Sequence, residues 1–377
     1  MEKRFFPQAS FLFFILLLLI QVLWSGDLRQ PGHHLPYRDA LATEIAFWKL
    51  IFTRYSQDEY VIHDSEHLEI IYKVVAFDSS VSERVREKQL KKIKKEIKKL
   101  LLDFHHQRLQ PQDLTPWELS IYHKFSRIKE HHKFFKAARR IRVQQGIREN
   151  FLAGVKRSFA YLPYLEKVFR EEGLPHDLIY LPHVESSFNP EAVSHVGAVG
   201  MWQFMRSTAR RFMKVNRIKD GRFDPLESTR AAARLLKRNY EVLHDWALAI
   251  TAYNHGLAGM KRARRRYGNY LKIRDRYLRR SFGFASKNFY PEFLAVVEIM
   301  DSLSYYFPNI KGNQPLEFQE IRLPTPIKMT TFAHQFGLDL KELKRLNPGY
   351  RIRVWRGIYR IPAGYTLRLP PYVNAGE

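Results

Sequence analysis

Residues 175–204 read PHDLIYLPHVESSFNPEAVSHVGAVGMWQF, and the place of one carboxylate within them decides how the chain is read. Pro175 can open a helix, because its fixed φ suits the first turn and its missing N–H is not needed there. Leu178, Ile179, Leu181 and Val184 give that helix an apolar face, and Asn189-Pro190 ends it. Glu185 falls in the last turn. A carboxylate there, among apolar neighbours and at the negative end of the helix dipole, has its charged form disfavoured twice over. Its pKa is expected to rise, leaving an acid that still holds a proton near neutral pH. Position alone leaves an ordinary surface carboxylate as the competing account.

Downstream, a loop with Gly197 and Gly200 precedes a helical stretch from Met201 to Met213. Asp224-Pro225 opens a third helix that runs through Ala231-Ala232-Ala233 to about Leu243, and a fourth follows from about Asp245 to Asn254. Helices joined by short connections predict a mainly α fold. Upstream, a first helix is expected near Ala40 to Tyr55, and residues 65–170 read as helices throughout, broken at Pro111 and Pro116. The last sixty or so residues differ. Ile321-Arg322-Leu323 and Tyr365 to Leu369 look like strands, with helical segments at about Ile327 to Phe336 and Leu340 to Leu346 parted by Gly337, a small strand-helix-helix-strand module.

The chain has 377 residues, is 45% hydrophobic and has no cysteine. It can bury two or three cores, and it has neither disulfides nor thiolate metal sites. Glu2-Lys3-Arg4 followed by the apolar run Phe11 to Trp24 predicts an export signal or N-terminal anchor, though the run is shorter than the roughly 20 residues that span a bilayer. With 63 Lys+Arg against 38 Asp+Glu, a formal charge of +25 implies polyanionic surroundings. Export argues against nucleic acid and for the cell envelope or periplasm, with membrane association through the N-terminal segment. Lysines 88–99 interleave with Leu90, Ile93, Ile97, Leu100 and Leu101, which makes one solvated face and one apolar stripe of a helix. For the basic run Lys261 to Arg266, contact with substrate carboxylates and plain solubility are equally good readings. The pairs His105-His106 and His131-His132 lack the spacing of a helical metal site.

Four separate motifs then occur in order: Glu185-Ser186-Ser187-Phe188-Asn189-Pro190; Gly197-Ala198-Val199-Gly200-Met201-Trp202-Gln203-Phe204-Met205; Asp224-Pro225; and Ala252-Tyr253-Asn254-His255-Gly256. Over about residues 140 to 305 the chain resembles the soluble-lytic-transglycosylase (SLT) domain family, in its membrane-bound lytic murein transglycosylase D branch. The resemblance implies a lysozyme-like helical fold that cleaves the β-1,4 bond between N-acetylmuramic acid and N-acetylglucosamine in peptidoglycan strands, leaving 1,6-anhydromuramic ends. One glutamate, matching Glu185, would protonate the leaving oxygen and then take the proton of the muramic C6 hydroxyl, where ordinary glycosidases use two carboxylates.

The resemblance also implies substrate contacts for Ser186, Gly200, Met201, Gln203, Tyr253 and Asn254. Capping of its own helix end is the competing account of Ser186, and a turn role that of Gly197 and Gly200. Trp202 is read as core. Tyr253-Asn254, a polar pair after the apolar run Ala247 to Ala252, is not explained by packing. The family commonly has Asn-Tyr-Val-Pro late in the domain, its tyrosine bonded to the catalytic glutamate, whereas this chain reads Asn288-Phe289-Tyr290-Pro291. Either Tyr290 reaches in from the next position or something else orients Glu185. Asp220, Asp224 and Glu191 are the nearest candidates for a second carboxylate, with Asp224 preferred as a helix N-cap.

Leu340, Leu343, Leu346-Asn347-Pro348 and Ile361 to Pro370 resemble a divergent LysM module over residues 316–371, a family that binds N-acetylglucosamine-containing glycans; a small fold that merely packs on the enzyme is the alternative. The expected layout is 1–26 signal or anchor, 27–140 helical extension, 141–305 catalytic domain and 316–371 glycan-binding module. No cofactor or metal is expected. A lysozyme-type hydrolase and a silent wall-binding scaffold are the alternatives to a lytic transglycosylase.

Overall fold

The computed structural model describes residues 35–373; the apolar run on which the export reading rests lies outside them. The helix Trp246–His255 is buried from Trp246 through Ala252, because WALAITA presents no polar side chain except Thr251, whose hydroxyl donates to the Ala247 carbonyl at 2.7 Å. Asp245 caps its start by accepting from the Leu248 amide at 3.0 Å. The preceding helix, Pro225–Leu243, begins as the Asp-Pro pair predicts. The Asp224 carboxylate accepts from the Leu226 and Glu227 amides at 3.1 Å each. It ends at His244, which takes a left-handed φ of 45°.

Across Trp246–His255 packs Phe284–Asp301, and against that helix packs Ala42–Thr53. Ile45, Trp48, Ile51 and Phe52 share one core with Trp246, Phe293 and Leu294. The segment expected to open a separate extension thus begins inside the core of the expected catalytic domain.

The expectation of helices throughout 65–170, and of a purely helical extension, needs correction. Strands β1 (Glu59–Asp64), β2 (Ile71–Ala76) and β3 (Ile141–Gln145) form an antiparallel sheet in the order β2-β1-β3. The central strand has a core on each face. Val61 joins the core just described, while Tyr60 and Ile62 join a second. A strand buried on both faces loses the polar alternation by which strands are recognised. The second core is closed by Glu83–His105, whose Leu90, Ile97, Leu100 and Leu101 are buried as the stripe predicts. Arg140 ties the segment before β3 to the hairpin, reaching the buried Asp64 at 3.1 Å and Glu130 at 2.8 Å.

In the C-terminal module, strands β4 (Gln319–Arg322) and β7 (Thr366–Leu369) pair antiparallel around the helices Met329–Gln335 and Leu340–Leu346. The expected order holds, with two additions: a short helix, Ile352–Trp355, and a two-residue ladder of β5 (Ile327–Lys328) with β6 (Arg360–Ile361). The module's core takes in Ile218 from outside it, and buried charges complete the junction. One guanidinium nitrogen of Arg368 donates to both oxygens of Asp224, at 2.9 Å each, and Arg351 donates to Asp220 at 3.0 Å. Among the described residues no helix is long and apolar enough to cross a membrane.

Candidate active site

Glu185 lies in the last turn of the six-residue helix Leu181–Ser186. The chain then reverses through Ser187 and Phe188, both left-handed at φ 51° and 56°. This reversal is held from below. Arg157 donates to the Ser187 carbonyl at 2.8 Å, and Gly154 lets its helix come so close that a Cβ there would stand 2.7 Å from the same oxygen. Arg157 and Gly154 are positioning residues that sequence reading missed; the glycine inside Arg148–Ser158 was their one signal.

Glu185 keeps partial access to solvent, and burial pushes its carboxyl up to about 8, the direction expected from its place in the sequence. Two groups share its field. Tyr253, on the helix Trp246–His255, is raised well above its ordinary value by burial and then by the Glu185 charge; its hydroxyl donates to the Trp202 carbonyl at 2.7 Å. Glu292, on Phe284–Asp301, which packs against the Glu185 helix, is pushed up to about 8 by burial first and by Glu185 second. The Glu185 charge, once formed, thus helps to hold the proton on Glu292. Sequence reading missed Glu292. Its signal was a lone acid in the otherwise apolar run Phe289 to Val297.

The second carboxylate is therefore not one of those first considered. Asp224 is the N-cap, as preferred, and Asp220 is paired with Arg222 at 2.9 Å; both lie below the ordinary carboxylate range despite burial, held there by their arginines. His183, two residues before Glu185, is packed between Phe151 and Phe188 and is lowered to about 3 by burial, so it stays neutral.

The remaining candidates divide. The Ser186 hydroxyl donates to the Met201 carbonyl at 2.8 Å and accepts from the Asn189 amide at 3.1 Å; it pins the loop, which supports the local account. Gly200 has φ 81°, and a Cβ there would stand 1.9 Å from the Arg222 carbonyl oxygen. Its tight approach is to the chain itself. Met201 is wholly buried, which corrects its expected place in a cleft, since only its backbone serves the site. Trp202, also wholly buried, stacks on Phe169 at 5.8 Å and donates to Thr229 at 2.9 Å, as a core residue would. Gln203 is half-buried, and its side-chain amide donates to the Gly200 carbonyl at 2.8 Å. Asn254 is exposed, accepting from the Ser286 hydroxyl at 2.7 Å.

Tyr290 is a further correction. It is fully buried, edge-on to Tyr270, and its hydroxyl donates to the Pro36 carbonyl at 2.7 Å. One residue beyond Phe289 is about 100° around a helix, which turns Tyr290 to a different face. The phenol that feels the Glu185 charge is Tyr253. The four histidines gather, with His105 and His132 rings 5.5 Å apart, but among the described residues no group of side chains could hold a metal ion.

Residues 165–275 match the family described as Transglycosylase SLT domain. Over 200 residues the chain is 28% identical to the membrane-bound lytic murein transglycosylase D of Escherichia coli K12, and equally to that of Escherichia coli O6:H1 strain CFT073. The similarity covers 52% of this chain and 44% of each relative, so it spans less than half the length of the curated relatives. The segment that carries Glu185, Gln203, Tyr253 and Asn254 is the one that matches the Transglycosylase SLT domain family.

Proposed function

We propose that the chain is a peptidoglycan lytic transglycosylase with Glu185 as its single acid and base. The observation that carries this reading is a solvent-reachable glutamic acid raised to about 8 by burial, inside the SLT segment and beside Tyr253. Holding its proton at neutral pH, Glu185 gives it to the glycosidic oxygen as the C1–O bond breaks. The carboxylate left behind faces a sugar carrying positive charge at C1. It then takes the proton of the muramic C6 hydroxyl as that oxygen bonds to C1, which closes the 1,6-anhydro ring and restores the acid. Glu292 keeps its own proton near neutral pH and adds no second base, while Gln203, Asn254 and Gly200 shape the loops around the substrate.

Glu292 also favours a second reading. Two carboxylates near one another are what a hydrolase uses, one to protonate the leaving group and one to activate water or bind the sugar. The products separate the two. Fragments released from purified peptidoglycan by residues 27–377 are weighed by mass spectrometry beside those from Glu185→Gln. Anhydro-ended muropeptides, absent with the variant, are expected; reducing ends would make the chain a hydrolase, and wall binding without release a scaffold.

The envelope location, the export or anchoring role of Phe11 to Trp24, and glycan binding by the 316–371 module belong to the same proposal. The relatives are named as membrane-bound, and a module fixed to an enzyme raises the local concentration of the polymer it binds. The compact core of 35–55 with 141–305 supports treating these segments together as the catalytic unit.

A further inference from the structure

A cavity of about 850 Å³ lies between the SLT segment and the C-terminal module, within the roughly 300–1,000 Å³ of pockets that enclose most of a small ligand. Its walls are largely apolar, with Tyr161, Pro190, Phe223, Leu226, Leu316 and Leu346 among them. Its cationic side comes from one short helix. Lys341, Lys344 and Arg345 line the cavity from positions i, i+3 and i+4, which share a helix face. All three are exposed. Among the described residues Lys341 and Lys344 meet no carboxylate, and Arg345 has only a 3.9 Å contact with Glu342. Against these three charges the lining offers a single acid, Glu191, since the fourth cation, Arg368, is already spent on Asp224.

The cavity is preformed. The Asp224–Arg368 and Asp220–Arg351 pairs fix the module, and the Asp220 amide donates to the Gly349 carbonyl at 2.8 Å. The linker is fixed as well: the Asn313 amide donates to Lys156 at 2.9 Å and the Leu316 amide to Ala160 at 3.0 Å. One wall is the turn that leaves Glu185, since Pro190 and Glu191 follow it closely in the chain. An apolar trough with a row of exposed cations, walled in part by the turn that follows Glu185, suits an extended chain that carries carboxylates. Peptidoglycan strands bear such chains, the short acidic peptides on their muramic residues.

We propose that this cavity receives the carboxylate-bearing peptide arm of a strand whose glycan lies at Glu185. The proposal rests on the glycan-cleaving reading above. Bare glycan, which lacks these carboxylates, gains nothing from the site.

The test uses residues 27–377 and the triple variant Lys341→Glu, Lys344→Glu, Arg345→Glu, with Lys92→Glu, Lys95→Glu, Lys98→Glu as a control for net charge on a solvated helix face. Calorimetry with a synthetic stem tetrapeptide should show binding by the parent and the control, weakened about tenfold or more in the first triple if each exposed pair contributes its usual fraction of a kcal/mol, and weakened again by salt. On intact sacculi the first triple should lose a similar factor in kcat/KM, with no loss on glycan stripped of peptides by an amidase. No tetrapeptide binding by the parent, or equal effects of the two triples, would overturn the proposal. Peptide binding with no fragments released from either substrate would overturn the catalytic reading instead and leave the peptide site standing. Unchanged thermal unfolding of the triple keeps a folding defect from imitating the result.

Discussion

Glu185 and Asp224 are two carboxylates taken out of water, and they answer in opposite directions. Asp224 is the more deeply buried, yet it lies below the ordinary range because Arg368 and Lys219 face it and two helix amides donate to it. Glu185 keeps a path to solvent, yet burial raises it to about 8, because no cation is paired with it among the described residues to offset the loss of water. Depth alone does not set the pKa; partners do. The first arrangement joins two folded units, and the second keeps a proton ready. The same chain builds both from carboxylates at opposite helix ends, an N-cap at Asp224 and a last turn at Glu185, where the helix dipole favours the observed direction in each case.

Four changes break or sharpen this contrast, in falling order of effect. Glu185→Gln should lower turnover by about 10²–10⁴-fold, the range of a positioned general acid, with thermal unfolding unimpaired; a loss below tenfold would mean that another group donates the proton. Arg368→Met should make Asp224 resemble Glu185, raising its pKa and lowering stability in urea by about 3–5 kcal/mol, because one partner of a buried pair is left unpaired. Adding Asp224→Asn should return much of that loss, and a double variant as unstable as the single would show that Arg368 matters for its packing instead. Glu292→Gln should leave the alkaline fall of kcat/KM, which follows ionisation of Glu185, near pH 8, because burial is what raises Glu185. A profile that moves to lower pH would show that the Glu292 charge, and not burial alone, raises Glu185. Tyr290→Phe should lose about 1 kcal/mol of stability, the hydrogen bond to Pro36, and leave kcat unchanged; impaired chemistry would place its hydroxyl in the site after all.

The pair also sets a pH dependence of stability. Glu185 and Glu292 have folded pKa values of about 8, above the ordinary glutamate value near 4.5. The folded chain therefore holds more protons than the unfolded one between those limits, and this contribution is complete below about 4.5 and lost as pH rises through about 8. Asp224 works the other way, its contribution being lost only in acid as pH falls through its depressed value. Glu292→Gln should thus flatten the alkaline side of the stability profile, and Arg368→Met the acid side.

Much of the site could be read from local chemistry. The Asp-Pro start at 224–225 and the last-turn position of Glu185 each express a rule that acts within one turn of helix, and each is found as expected. What escaped reading depends on contacts between distant segments. Val61 faces one core and Ile62 another, so β1 shows no alternation. Glu292 lies far along the chain from Glu185 and meets it only because two helices pack. Met201, within a motif, and Tyr290, one place beyond a motif position, both turn inward, since neighbouring residues on a helix or tight turn point to different faces. The junction of Arg368 with Asp224 spans 144 positions of the chain, and no spacing rule reaches that far.

The most direct test is the titration of Glu185 itself, followed by carbon NMR of glutamate side-chain carboxyls in residues 27–377, with Glu185→Gln to assign the signal. The account predicts a midpoint near 8 that stays there in Glu292→Gln, since burial sets it. A midpoint in the ordinary glutamate range would contradict it.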